Sequence, residues 1–91
     1  MLVGIVQIAG EQLSKKEVKE VCEALRCNRV QLLSLRGCRI KNSSYMHLMQ
    51  ALGYSKSVKQ LNLNLGVIHS LLRVHHLSHM LTQNRSLTSL L

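Results

Sequence analysis

Ninety-one residues, 46% of them hydrophobic and none of them Pro, Trp or Phe, make one small domain and exclude a multidomain enzyme. Leucine fills 18 of the 91 positions, which requires an almost wholly aliphatic core. The net charge of +8 is uneven, because all four acids (Glu11, Glu17, Glu20, Glu23) precede residue 24 and nine bases follow it; that surplus favours acidic partners or polyanions, while two Tyr and no dense basic run argue against sequence-specific nucleic-acid binding.

The chain opens on MLVGIVQIAG, an apolar stretch with no basic run before it, too short for a membrane span and unlike a signal peptide. Val3, Val6, Ile8 and Leu13 show a spacing that returns more clearly downstream, which predicts a short strand near residues 5–8. Ser14 and Glu17 form a capping box, and Val18, Val21, Cys22 and Leu25 follow at i, i+3, i+4 and i+7. This predicts a helix over 15–26, ended by Asn28, a residue type that accepts the left-handed conformation.

The clearest segment is VQLLSLRGCRI, residues 30–40. Val30, Leu33, Leu35, Cys38 and Ile40 fall on LxxLxLxx(N/C)xL, the spacing of a leucine-rich repeat. Leu33 and Leu35 then point inward from a strand near 33–35, and Cys38 satisfies buried backbone groups in the bend. A helix near 44–52 follows, with Asn42 and Ser43 as cap candidates and Tyr45, Leu48, Met49 and Leu52 as its apolar stripe. VKQLNLNLGVI repeats the frame: Val58 takes the place of Val30, Leu61 and Leu63 those of Leu33 and Leu35, and Ile68 that of Ile40. Gly66 stands where Asn or Cys belongs, and the segment predicts a strand near 61–63. Carrying the helical stripe forward with Val74 in the place of Tyr45 gives Val74, Leu77, Ser78 and Leu81 on a helix near 70–82, with Asn84 as its left-handed terminator. Another start comes at Leu87 and Leu90, and in a degenerate first copy Glu11 takes the bend position that Cys38 holds in the second.

EALRCNRVQLLSLRGCRI, echoed by HMLTQNRSLTSLL, resembles the ribonuclease-inhibitor class of leucine-rich repeats. The resemblance covers nearly the whole chain and implies an α/β solenoid, a partial horseshoe with short parallel strands on its concave side and helices on its convex side. The expected organisation is a single domain with a degenerate repeat at 1–29, repeats at 30–57 and 58–86, and a truncated repeat at 87–91. Such an array normally closes with a polar capping repeat. Ending on Leu90-Leu91 therefore suggests a fragment of a longer array, with self-association through the open C-terminal edge.

Chemistry-bearing motifs are sparse. His75 and His79 are i, i+4 on one helix, and the alignment of Val74 with Tyr45 pairs His47 with His76, but no third ligand stands at consistent spacing, so no metal site is expected. Cys22 lies on an apolar stripe and Cys38 in a bend, which leaves Cys27 as the accessible thiol. Three irregularly spaced cysteines are no disulfide framework and fit a reducing, cytoplasmic setting. Without a phosphate loop, a nucleophile elbow or a spaced pair of acids, neither an enzyme nor a cofactor is expected.

The remaining candidate is a surface. Motif positions three, five and seven project from the concave side, giving Leu32, Ser34 and Arg36 in one repeat and Gln60, Asn62 and Asn64 in the next. The expected function is a non-catalytic intracellular module that binds a protein partner through this strip. The alternatives are a basic surface that binds a polyanion or acidic partner, and an array fragment with no function of its own. GTPase regulation, by analogy with one member of the class, would rest on fold alone.

Overall fold

The Ser14 hydroxyl accepts a 3.1 Å hydrogen bond from the Glu17 amide while the Glu17 carboxylate accepts one of 3.2 Å from the Ser14 amide, so the capping box starts the first helix. A computed structural model describes residues 4–8, 13–37, 39–63 and 67–91. They form β1 (Ile5–Gln7), α1 (Lys15–Arg26), β2 (Leu32–Ser34), α2 (Asn42–Tyr54), β3 (Gln60–Asn62), α3 (Leu71–Gln83) and β4 (Ser89–Leu90). The strands pair in chain order, all parallel, in one four-stranded sheet.

Register follows from burial. Val6, Leu33, Leu61 and Leu90 form one row across the sheet. Leu33 and Leu61, in the middle of that row, are fully buried, whereas Leu90 at its edge stays 44% exposed. Each of β2 and β3 ends one residue earlier than the sequence suggests, and Leu35 and Leu63 are buried just past the strand ends. Ile40 and Ile68 are half-buried against this core. Gly37, in the turn after β2, takes a φ of 74°, which a residue without a Cβ adopts at little cost.

Helices α1 and α2 bury the stripes read from the sequence. Val18, Cys22 and Leu25 face the core from α1, with Val21 half-buried, and Tyr45, Leu48, Met49 and Leu52 face it from α2. The start of α2 differs from expectation, since Asn42 and Ser43 lie inside the helix and Lys41 is the cap residue, making no side-chain capping bond.

The third helix corrects the sequence reading. Val74, Ser78 and Leu81 are exposed and Leu77 half-buried, while the buried residues of α3 are Arg73 and Met80. The step from α2 to α3 is thus the same as the step from Leu33 to Leu61 between the strands, and it gives Arg73 the place of Tyr45 and Met80 the place of Leu52. By the same step His47 corresponds to His75, not to His76. Aligning Val74 with Tyr45 preserves the apolar pattern, but only the alignment of Arg73 with Tyr45 lets Arg73 bind the carbonyls of the preceding bends. Its Nε donates to Asn42 Oδ1 at 2.9 Å, Nη1 to the Val67 carbonyl at 3.0 Å and Nη2 to the Ile40 carbonyl at 2.6 Å.

The two asparagines expected to end helices behave differently. Asn28 is left-handed, with φ of 59°, and its Oδ1 accepts from the Lys56 amide at 2.7 Å. Asn84 is extended, with φ of −73°, and acts through its side chain instead. Its Nδ2 donates to the Leu52 and Ser55 carbonyls, and its Oδ1 accepts from the Ser86 and Leu87 amides. A serine ladder runs alongside: the Ser57 hydroxyl donates to the Val30 carbonyl and the Ser86 hydroxyl to the Val58 carbonyl, each at 2.7 Å. Neighbouring strand–helix units are therefore tied by side-chain bonds as well as by the sheet.

Candidate functional site

With the core on one side of the sheet, side chains alternating with the inward row lie on the other. Two rows result: Ile5, Leu32, Gln60 and Ser89 in the first, and Gln7, Ser34 and Asn62 in the second. Leu32, Ser34, Gln60 and Asn62 are half-buried, and Ile5 and Gln7 are exposed. Register alone brings these four central residues together, because the parallel pairing of β2 with β3 sets Leu32 opposite Gln60 and Ser34 opposite Asn62. Gln60 Nε2 donates to Asn62 Oδ1 at 2.8 Å, which orients the two amides relative to each other.

Arg36 lies beyond the strand, exposed in the turn that contains Gly37. Asn64, Cys38, Gly66 and Glu11 fall outside the described residues. The patch thus combines one leucine, a hydroxyl and two amides, with Ile5 adding exposed apolar surface at its β1 end, 62% exposed. Those groups offer donors, acceptors and a modest apolar area, the ingredients of a protein–protein contact; they include no nucleophile held beside a base.

Grooves run between the helices on the side away from the outer sheet face. The first, of about 500 Å³ between α1 and α2, is lined by Lys15, Val18, Lys19, Cys22, Arg26, Ser43, Ser44 and His47. The second, of about 470 Å³ between α2 and α3, includes Met46, Met49, His75, His76 and His79. His47 and His76 therefore line different grooves. Among the described residues no group of three His, Cys, Asp or Glu is placed to hold a metal ion.

The thiols also differ. Cys22 is buried, and desolvation pushes its pKa above the ordinary 9.0, with Arg26 pulling the other way. Cys27 caps α1 and is exposed. Sequence reasoning missed Arg73, which is 3% exposed and whose guanidinium carbon lies 4.9 Å from the centre of the Tyr45 ring. The step from Leu33 to Leu61, counted on from Tyr45, lands on Arg73 and is the signal in the sequence that points to it.

Over 90 residues the chain is 48% identical to leucine-rich repeat-containing protein 73 of Homo sapiens, and equally to that of Rattus norvegicus. The match takes in 99% of the chain and 28% of each relative, so the chain spans little more than a quarter of the length of these curated relatives. No protein-family model matches the chain, and no solved structure matches it. Among the described residues no helix is long and apolar enough to cross a membrane.

Proposed function

We propose that the chain is a stretch of ribonuclease-inhibitor-type leucine-rich-repeat solenoid that works as a non-catalytic protein-interaction module, meeting its partner on the outer face of the sheet. The observation that carries this reading is the alignment of Leu32 with Gln60 and of Ser34 with Asn62 in adjacent parallel strands. A row repeated at the strand spacing of roughly 4.8 Å presents equivalent groups to one extended surface, which is how solenoids bind. Similarity to a leucine-rich repeat-containing protein supports it. Repeats 30–57 and 58–86 supply the central contacts, with Arg36 and Asn64 at their margin, and the setting is the reducing cytoplasm.

The test is affinity capture from cytosol with the wild-type chain, with Ser34→Arg/Asn62→Arg, and with Gln50→Arg on the exposed side of α2. The reading requires a protein captured by wild type and Gln50→Arg and lost with the double variant. Capture that all three share and that collapses with added salt would favour the basic surface as a polyanion binder instead.

A further inference from the structure

The groove between α1 and α2 segregates charge. Helix α1 carries three acids, Glu17, Glu20 and Glu23, and four bases, Lys15, Lys16, Lys19 and Arg26. Lys15, Lys19 and Arg26 line the groove and none of the acids does. At the mouth, Lys41 joins Lys15, Ser43 and Ser44 around a neighbouring depression of about 310 Å³. None of these four cationic heads has a carboxylate partner among the described residues.

The facing wall is the first turn of α2. Lys41, its cap residue, makes no side-chain bond to the turn, so the amides of Asn42, Ser43 and Ser44 have no capping oxygen. Asn42 is directed elsewhere, its Oδ1 taken by Arg73. Ser44 supplies the second, independent sign. It is 8% exposed, its hydroxyl has no hydrogen-bond partner among the described residues, and it lines both depressions. Every fully buried polar side-chain atom among the described residues is bonded, so the unbonded Ser44 hydroxyl must open onto the groove. A hydroxyl on a nearly enclosed residue that is unbonded and opens onto the groove has its donor and acceptor capacity available to a ligand seated there.

We propose that this groove binds a phosphomonoester, its phosphate seated on the first turn of α2 with Ser43 and Ser44 and neutralised by Lys15, Lys19 and Lys41. Three elements of the site are what a phosphate uses: helix N-terminal amides aligned with the dipole, hydroxyl donors, and lysines acting as point charges. A carboxylate carries one charge and would leave most of the cationic heads uncompensated, whereas a dianion with three acceptor oxygens uses them. The aliphatic stems, Val18 and Cys22 along the groove give room for the group that carries the phosphate. This site lies on the helical side and does not depend on the outer sheet face.

The experiment is a titration of the full chain, followed by amide chemical shifts at constant ionic strength, with inorganic phosphate, chloride, a phosphoserine peptide and its unphosphorylated counterpart. Saturable shifts confined to residues 42–44 and the start of α1 are expected with both phosphate probes. Ser44→Ala and Lys15→Gln/Lys41→Gln should weaken binding by about tenfold, and Lys56→Gln, at the other end of α2, should not. Tighter binding of the phosphoserine peptide than of inorganic phosphate is expected, because the groove also takes the carrier; equal binding would overturn the assignment to a phosphomonoester. Equal shifts with chloride, the absence of saturation, or equal weakening by Lys56→Gln would overturn the site. Circular dichroism of each variant separates lost binding from lost fold, and the substituted lysines are exposed.

Discussion

The Tyr45 hydroxyl donates a 2.8 Å hydrogen bond to the carbonyl of Arg73, whose own guanidinium lies 4.9 Å from the centre of the Tyr45 ring. These residues hold equivalent places on successive helices, where α1 has Val18. One layer of the core thus changes from aliphatic to aromatic to cationic. Burial of the cation is offset by three hydrogen bonds and by the ring.

Arg73→Leu is expected to destabilise the domain by about 2 to 4 kcal/mol, because it leaves the Ile40 carbonyl and the Asn42 amide oxygen without the donor that serves them. Arg73→Lys keeps the charge but cannot span all three acceptors, and should recover only part of the loss. Urea unfolding measures both; a change below about 0.5 kcal/mol for Arg73→Leu would contradict the assignment.

Leu35→Ala should cost about 2 to 4 kcal/mol, since its side chain is fully buried just beyond β2 and truncation leaves a cavity. The same denaturation series reads it. A near-neutral result would mean that the strand register is wrong.

Much of this fold is legible in the sequence because strand and helix positions repeat with one chemistry. Leu33 and Leu61, the Ser14–Glu17 box, and Tyr45 through Leu52 each follow from spacing alone. The stripe of α3 does not, because Val74, Leu77, Ser78 and Leu81 satisfy the same helical period as the residues that are buried. An arginine reads as surface until its partners are known, and two of those partners, Ile40 and Asn42, lie just before and at the start of α2, far back in the sequence. For the candidate face, Leu32, Ser34, Gln60 and Asn62 follow from the strand period, but Arg36 lies in a turn that the repeat frame extends too far. The basic groove was not legible, since it depends on which side of α1 carries Lys15 and Lys19.

Alkaline pH should weaken the fold. Burial raises the pKa of Cys22 above 9.0 and that of Tyr45 above 10.0, so the unfolded chain loses these protons first. Their contribution is fully present below about pH 9, where both states hold the protons, and is lost as pH rises through the raised folded values. Thermal unfolding between about pH 8 and 11, compared with Cys22→Ala and Tyr45→Phe, checks this; the wild-type decline should be steeper than in either variant.

Alkylation should discriminate the thiols. Cys27 is exposed and Cys22 buried, so brief treatment with iodoacetamide followed by peptide mass mapping should modify Cys27 well before Cys22. Denaturant should abolish the difference. Equal rates in the native chain would contradict the inward placement of the α1 stripe.

The central claim, that the outer sheet face meets a protein partner, is tested most directly by a photocrosslinking residue placed in cells at position 62, and separately at exposed position 50 on α2. A discrete protein adduct is predicted from position 62 and none of the same mass from position 50. Adducts from position 50 with none from position 62 would contradict the account and move the interface to the helices.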